Sequence, residues 1–318
     1  MIDFDEIVAA TRRVARLAAP TPLVHSAWLS DLIGTPVWLK LEIVQRTGSF
    51  KLRGAANAIV QRLERQPGLR GVVTASAGNH GQAVAYVARE LGLSARVYVP
   101  RTAPDAKRSA LRRLGAETIE TPTYDDAEHR AHEDADRTGT PYLSPYDDDD
   151  VIAGAGTVAV EMLADRPEID VFVVPLGGGG LLAATAIAAH AKATRPMVVG
   201  VEAAASPVFT AALAAGRPVT VDVHDTLADG LAGNMDPESR TFPIVRDLVS
   251  RVERIDEPAI GRAMRDLIRR ERLVAEGAGA IGIAALMTAG LDLAGRNVGV
   301  ILSGRNVDAT VIERVLAE

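Results

Sequence analysis

The chain predicts an α/β fold of parallel sheets covered by helices on both faces, and three observations predict it. Short runs rich in valine and isoleucine alternate with helical patterns almost from end to end. Helical patterns close on glycines, as at Gly92, Gly115 and Gly139, where a left-handed C-cap is expected. Glycine-bearing loops follow strands and open helices, and ligands of open α/β sheets bind in that crevice, beyond the strand C-termini.

The elements follow in order. An N-terminal segment carrying Ile7, Val8, Val14 and Leu17 reads as an amphipathic helix whose apolar face could serve assembly. Strands are expected at Val37–Leu41, Gly71–Ser76, Ala95–Val99, Glu117–Glu120, Val171–Pro175, Val198–Glu202, Arg251–Ile255 and Asn297–Leu302. Helices are expected at Lys51–Arg65, Asn79–Leu91, Pro104–Leu114, Tyr124–Arg137, Leu181–Ala193, Glu257–Arg272 and Gly279–Ala289, with Pro104 suited to a first turn. The tract Asp147–Asp150 reads as a solvated loop, and His129 and His132 as surface residues. Residues 62–147 form a compact run of β–α units, expected as a small mobile lobe inserted into a large one built from 1–61 and 148–318.

Composition removes several classes of function. A hydrophobic fraction of 47% with 24% charged residues describes a soluble globular protein, in which 4% aromatics leave packing to alanine, valine and leucine. A net charge of -6 and the absence of a basic patch argue against nucleic acid. Without cysteine there is neither disulfide nor thiolate metal site, and a cytoplasmic home is expected. The acidic start, Met1-Ile2-Asp3, is unlike a signal peptide. Val171–Ala189 is uncharged and long enough for a membrane span, but Pro175 and Gly177 to Gly180 divide it into strand, loop and helix.

Four constellations can carry chemistry. Lys51 is one of only four lysines, with Lys40, Lys107 and Lys192, in a chain of 35 basic residues. A desolvated lysine can lose its proton and attack a carbonyl, which arginine cannot. Gly48 allows a sharp turn before it, Ser49 can cap its helix and Phe50 can seal a dry pocket. Gly177, Gly178, Gly179 and Gly180, between an apolar strand and a helix, expose a row of N–H groups at a positive helix end, a phosphate cradle. Gly178-x-Gly180-x-x-Ala183 with Glu202 also satisfies a dinucleotide fingerprint, which would make a nicotinamide-dependent oxidoreductase but leaves Lys51 without a task. Ser76-Ala77-Gly78-Asn79-His80 opens a helix and can hold a carboxylate, or can be a plain cap with His80 in solvent. Ser303-Gly304-Arg305-Asn306 closes the last strand.

Together these pieces resemble the fold-type II pyridoxal-phosphate enzymes, and within them the threonine/serine dehydratase and serine racemase family. The resemblance runs from Thr21-Pro22-Leu23 through Lys40-Leu41-Glu42, Gly154-x-Gly156-Thr157, Ala228-Asp229-Gly230 and Glu276 to Ser303. It implies a two-lobed, tryptophan synthase β-like architecture with pyridoxal 5'-phosphate as cofactor. It also implies that Lys51 holds the cofactor beside Phe50, that Asn79 binds its ring hydroxyl and that Gly177 to Gly180 bind its phosphate. Ser303 would partner the pyridine nitrogen, with Glu276 nearby, while Ser76, Ala77, Gly78, Asn79 and His80 would hold the substrate. The implied reaction is β-elimination of threonine or serine to a 2-oxo acid and ammonia. Serine racemase, and dehydration of hydroxyaspartate or an aryl-serine, are the alternatives.

Racemases of this family carry a serine where this chain has Ala77, so the lyase is favoured: Ala77 has no proton to give. The family's metal site would use Glu202 and a second acid where Val208 stands, so no metal is expected and Glu202 can be structural. Arg305 stands where a glycine is usual, and Gly277 where a proline is usual. The chain stops soon after Ser303, so no C-terminal regulatory domain is expected. A homodimer or homotetramer is implied.

Overall fold

The computed structural model describes residues 2–317. Two sheets organise it. The larger has six strands in the order β1 (Leu23–His25), β2 (Val37–Leu41), β9 (Val298–Leu302), β6 (Val171–Pro175), β7 (Met197–Ala203) and β8 (Arg251–Ile255). The smaller runs β3 (Gly71–Ala75), β4 (Ser94–Pro100), β5 (Glu117–Thr121) and is wholly parallel. All eight expected strands form. The central strands are buried on both faces, as parallel strands under helices must be: β6 and β9 are buried at every residue, while the edge strands β5 and β8 are partly exposed.

The expectation of parallel sheets fails at one edge. β1, absent from the expected elements, pairs antiparallel with β2, Leu23 facing Lys40 and His25 facing Trp38. Three residues show no readable alternation, and the short Ala27–Ile33 helix returns the chain beside its own start.

Apolar side chains fill both faces of the large sheet. Leu39, Ile281, Ile283 and Val300 lie in one cluster, and Ile152, Phe172, Leu182 and Val198 in another. A third cluster covers the small sheet with Leu52, Ile59, Val84 and Val97. The Phe4–Val14 helix buries Ile7 and Val14 in these cores, followed by Leu17, and leaves only Val8 of that set exposed. Its apolar face is therefore used inside the chain and is not free to serve assembly.

Two further corrections concern helices. Asp147–Asp150 is no solvated loop: Asp148 caps the helix Asp149–Asp165, accepting from Asp150 N at 2.9 Å and Val151 N at 3.2 Å. Arg62 and Arg65, in the last turn of the Lys51–Arg65 helix, pair with Asp148 and Asp150. Acids at one helix start and bases at the other's end suit both dipoles, which makes a charge run into an antiparallel helix contact. At that contact a Cβ on Gly154 would lie 2.4 Å from the Arg53 carbonyl oxygen, so only glycine permits the approach. The expected helix Glu257–Arg272 is α-helical only to Asp266. It widens into a π turn over Leu267–Glu271 and ends at Arg272 with φ of 60°.

Candidate active site

Lys51 opens its helix at the meeting of two loops. Gly48 turns the chain with φ of 74°, and the next residues are sewn to the end of β9: Arg305 N donates to Gly48 O and Phe50 N to Ser303 O, each at 2.9 Å. Ser49 does not cap the helix as expected. Its Oγ is buried without a partner because the Ser49 backbone bridges Gly304 and turns the hydroxyl inward. The Lys51 ammonium donates to the Pro145 carbonyl at 2.7 Å and lies 5.1 Å from the Phe50 ring centre. Among the described residues no carboxylate salt-bridges it, and burial lowers its pKa to about 8 against the pull of Glu276.

A second residue of the same helix fixes its position. Arg53 is 1% exposed and donates to Glu42 and Glu161, with Lys40 on Glu161 at 2.6 Å and Thr21 on Glu42 at 2.5 Å. Two cations and two carboxylates close this buried network with their charges balanced, a condition for tolerating charge in a core.

Glu276 is 4% exposed and precedes the Gly277–Thr288 helix. Burial, then the charge of Asp229, raises its carboxyl to about 7. It accepts from Asn79 Nδ2 at 2.6 Å, and Asn306 Nδ2 donates to Asn79 Oδ1 at 2.6 Å and to Thr47 O at 2.8 Å. Asn79 is thus held at both ends of its amide. Ser303 Oγ is buried with only a long contact, 3.4 Å, to Ala278 O, and stays free to bond a ring nitrogen.

The glycine loop joins β6 to the helix Gly180–His190, with Gly179 left-handed at φ of 88°. Among the described residues no acceptor meets the N–H groups of Gly177, Gly178, Gly179 or Gly180. Packing also requires these glycines. A Cβ on Gly178 would lie 2.2 Å from the Tyr146 ring, and one on Gly177 2.9 Å from Leu231 Cα. Thr241 Oγ1 anchors the loop on Gly178 O at 2.8 Å.

The Ser76–His80 loop follows β3 and opens the Asn79–Glu90 helix. Ser76 Oγ accepts from Gly78 N at 3.2 Å, and the N–H groups of Asn79 and His80 meet no acceptor among the described residues. His80 is not in solvent: it is 2% exposed, and Nε2 donates to Leu143 O at 3.1 Å. Burial and the neighbouring Lys51 push its imidazole down to about 3, so it is neutral, with Nδ1 buried and unpaired. Its side chain faces inward, which leaves the backbone N–H as what it can offer a carboxylate. Ala77 is half-buried against the Val84 and Val97 cluster.

Glu202 is engaged elsewhere. Its carboxylate accepts from Phe209 N at 2.9 Å, Thr210 N at 3.0 Å and the Thr210 hydroxyl, capping the Val208–Ala215 helix. The dinucleotide fingerprint therefore lacks its ribose-binding acid, since a carboxylate saturated by a helix start does not reach a ligand. Sequence reading missed Pro145, Tyr146 and Thr241 as parts of this site and named Asn306 in the Ser303 loop without a role. Asn306 alone had a local signal, standing three places after Ser303.

An amine of lowered pKa, a buried hydroxyl and a row of N–H groups that meet no acceptor among the described residues make a donor set for a phosphorylated aldehyde. The sequence pattern of the family described as "Pyridoxal-phosphate dependent enzyme" matches residues 14–304. This chain belongs to the pyridoxal-phosphate-dependent enzyme family. It is 39% identical over 317 residues to an L-threonine ammonia-lyase of Thermotoga maritima, covering 99% of this chain and 78% of that one. Its structure is similar to that of maize serine racemase, with a TM-score of 0.93 and 33% identity over 99% of this chain and 97% of the other. It is also similar to a pyridoxal 5'-phosphate-dependent aspartate racemase, with a TM-score of 0.92 and 34% identity over 100% and 98% of the two chains. The fold is that of the fold-type II enzymes, and the enzyme depends on pyridoxal phosphate. Among the described residues no helix is long and apolar enough to cross a membrane.

Proposed function

We propose that the enzyme removes water and then ammonia from a β-hydroxy amino acid, L-threonine and secondarily L-serine, leaving a 2-oxo acid. The observation that carries this reading is a lysine of lowered pKa lining one cavity with Gly180 of a glycine loop whose N–H groups meet no acceptor among the described residues. Similarity to an L-threonine ammonia-lyase over nearly the whole chain supports the substrate class.

In this reading Lys51 holds the cofactor through its amine, with Phe50 against the ring. The N–H groups of Gly177 to Gly180 hold the phosphate, Asn79 the ring hydroxyl and Ser303 the ring nitrogen. Bound there, pyridoxal phosphate supplies an electron sink for charge developing at the substrate Cα. Lys51, whose amine burial brings down to a pKa of about 8, would take the Cα proton in its unprotonated form. Pro145 O, which receives the ammonium at 2.7 Å, steadies the lysine once it is protonated. N–H groups of Asn79 and His80 orient the substrate carboxylate at the start of their helix. Glu276, buried and titrating near 7, keeps Asn79 turned toward the ring. Threonine loses its β-hydroxyl as water to give an enamine, which tautomerises to an imine that one water hydrolyses to 2-oxobutanoate and ammonia, so the water released balances the water consumed.

Racemisation is the second reading, favoured by the similarity to two racemase structures. It requires a proton donor on the opposite face of Cα, and Ala77 supplies none. We place the enzyme in the cytoplasm as a homodimer or homotetramer, on its lack of cysteine and the family resemblance. The test is to incubate the holoenzyme with threonine, serine and hydroxyaspartate separately and measure 2-oxo acid and ammonia. Equal amounts of both products, greatest with threonine, are expected. Epimerised amino acid without ammonia would overturn the reading.

A further inference from the structure

Lys107 stands in an electrostatically poor place. It is the third residue of the Asp105–Arg113 helix, close to the positive end of the helix dipole, where a cation is disfavoured. What it meets there is Asp229: Nζ lies 2.6 Å from Oδ2, across the crevice between the small sheet's helices and the large sheet. The Asp105–Arg113 helix packs on β5 and on the Asn79–Glu90 helix, so it belongs with the small sheet. Asp229 belongs to the turn Asp229–Leu231, which packs on the Gly277–Thr288 helix of the large sheet.

That turn covers the glycine loop. Leu231 Cα stands 2.9 Å, and Gly230 O 3.4 Å, from where a Cβ of Gly177 would be. Gly230 also faces Glu276 Oε1, at 3.9 Å from its own missing Cβ. One ion pair therefore ties the small sheet to the backbone that roofs the proposed phosphate site. Its partners are 21% and 59% exposed, so solvent screens it and it adds little to overall stability. What it can do is choose between an open and a closed arrangement, because such a choice turns on small energies.

We propose that Lys107 is a positioning residue: through Asp229 it holds the Ala228–Leu231 turn closed over the glycine loop, keeping cofactor and substrate in place. This rests on the dehydratase reading above. The pair touches no reacting atom, and its two charges act on Glu276 in opposite directions, so its loss weakens retention of substrate and changes the chemical step little.

The experiment is a double-mutant cycle of Lys107→Met and Asp229→Asn on the holoenzyme, with Lys107→Arg as the charge-conserving control. Each single variant should raise KM for threonine about fivefold, the upper end for an exposed ion pair, with kcat within about twofold. The double variant should be no worse than either single one, and Lys107→Arg should stay near wild type. Amide hydrogen exchange should rise together at 105–113 and 228–231 in both single variants. Unchanged KM and exchange in Lys107→Met, or effects that simply add in the double variant, would overturn the proposal. If the wild type consumes no β-hydroxy amino acid, the dehydratase reading fails while the exchange measurement still decides on the pair.

Discussion

Lys51 carries a cost that can be measured without any substrate. Its folded pKa of about 8 lies below the ordinary 10.5, so between those values the unfolded chain binds more protons than the folded one. Stability of the cofactor-free protein therefore rises with pH across that window, and the penalty is fully present below pH 8. Lys51→Met should raise unfolding stability at pH 7 by about 1–3 kcal/mol, with the gain gone above pH 10.5. Urea denaturation at the two pH values checks this, and a variant no more stable at pH 7 contradicts it. Ala77 poses the opposite case, a missing group. Ala77→Ser should increase racemisation of serine relative to elimination, read as D-serine against pyruvate; an unchanged ratio argues that the position does not face Cα. Lys51 and the glycine run were legible because scarcity and local spacing marked them. Tyr146 and the pairing of Asn306 were not, because their partners lie far away in sequence. Asn306 reaches Asn79 across 227 positions, and no local pattern encodes that.

At the scale of elements, the site depends on how the Lys51–Arg65 helix is seated. Three devices hold it: the buried Arg53 network, the Arg62 and Arg65 pairs with the next helix's start, and the backbone contact at Gly154. Gly154→Ala places a methyl 2.4 Å from a carbonyl oxygen that cannot yield without moving the helix. It should destabilise the enzyme by about 1–3 kcal/mol and weaken cofactor binding as Lys51 shifts. Thermal melting with a cofactor titration measures both; normal melting and normal binding would count against this seating. Strands were readable wherever β-branched runs are buried on both faces. β1 was not, since an edge strand of three residues exists only through its pairing with β2. The acidic tract misled for a related reason: charge in sequence looks solvated until another helix's arginines lie beside it.

On the scale of the whole molecule, two sheets point the ends of their strands at one crevice. From the large sheet come the glycine loop after β6 and Ser303 after β9; from the small sheet comes the Ser76–His80 loop after β3. Lys51 lies between them, on the helix that starts from the turn stitched to β9. This convergence follows from parallel topology, which puts every such loop on the same side. The alternation of strands and helices was therefore enough to foresee where a ligand belongs, though not which residues of the opposing loops touch. In the proposed function one amine, Lys51, bonds the aldehyde carbon of the cofactor. Borohydride reduction of the holoenzyme followed by peptide mapping measures this directly. The pyridoxyl group should appear on the peptide containing Lys51 and on no other; label on Lys40, Lys107 or Lys192, or none, would contradict it.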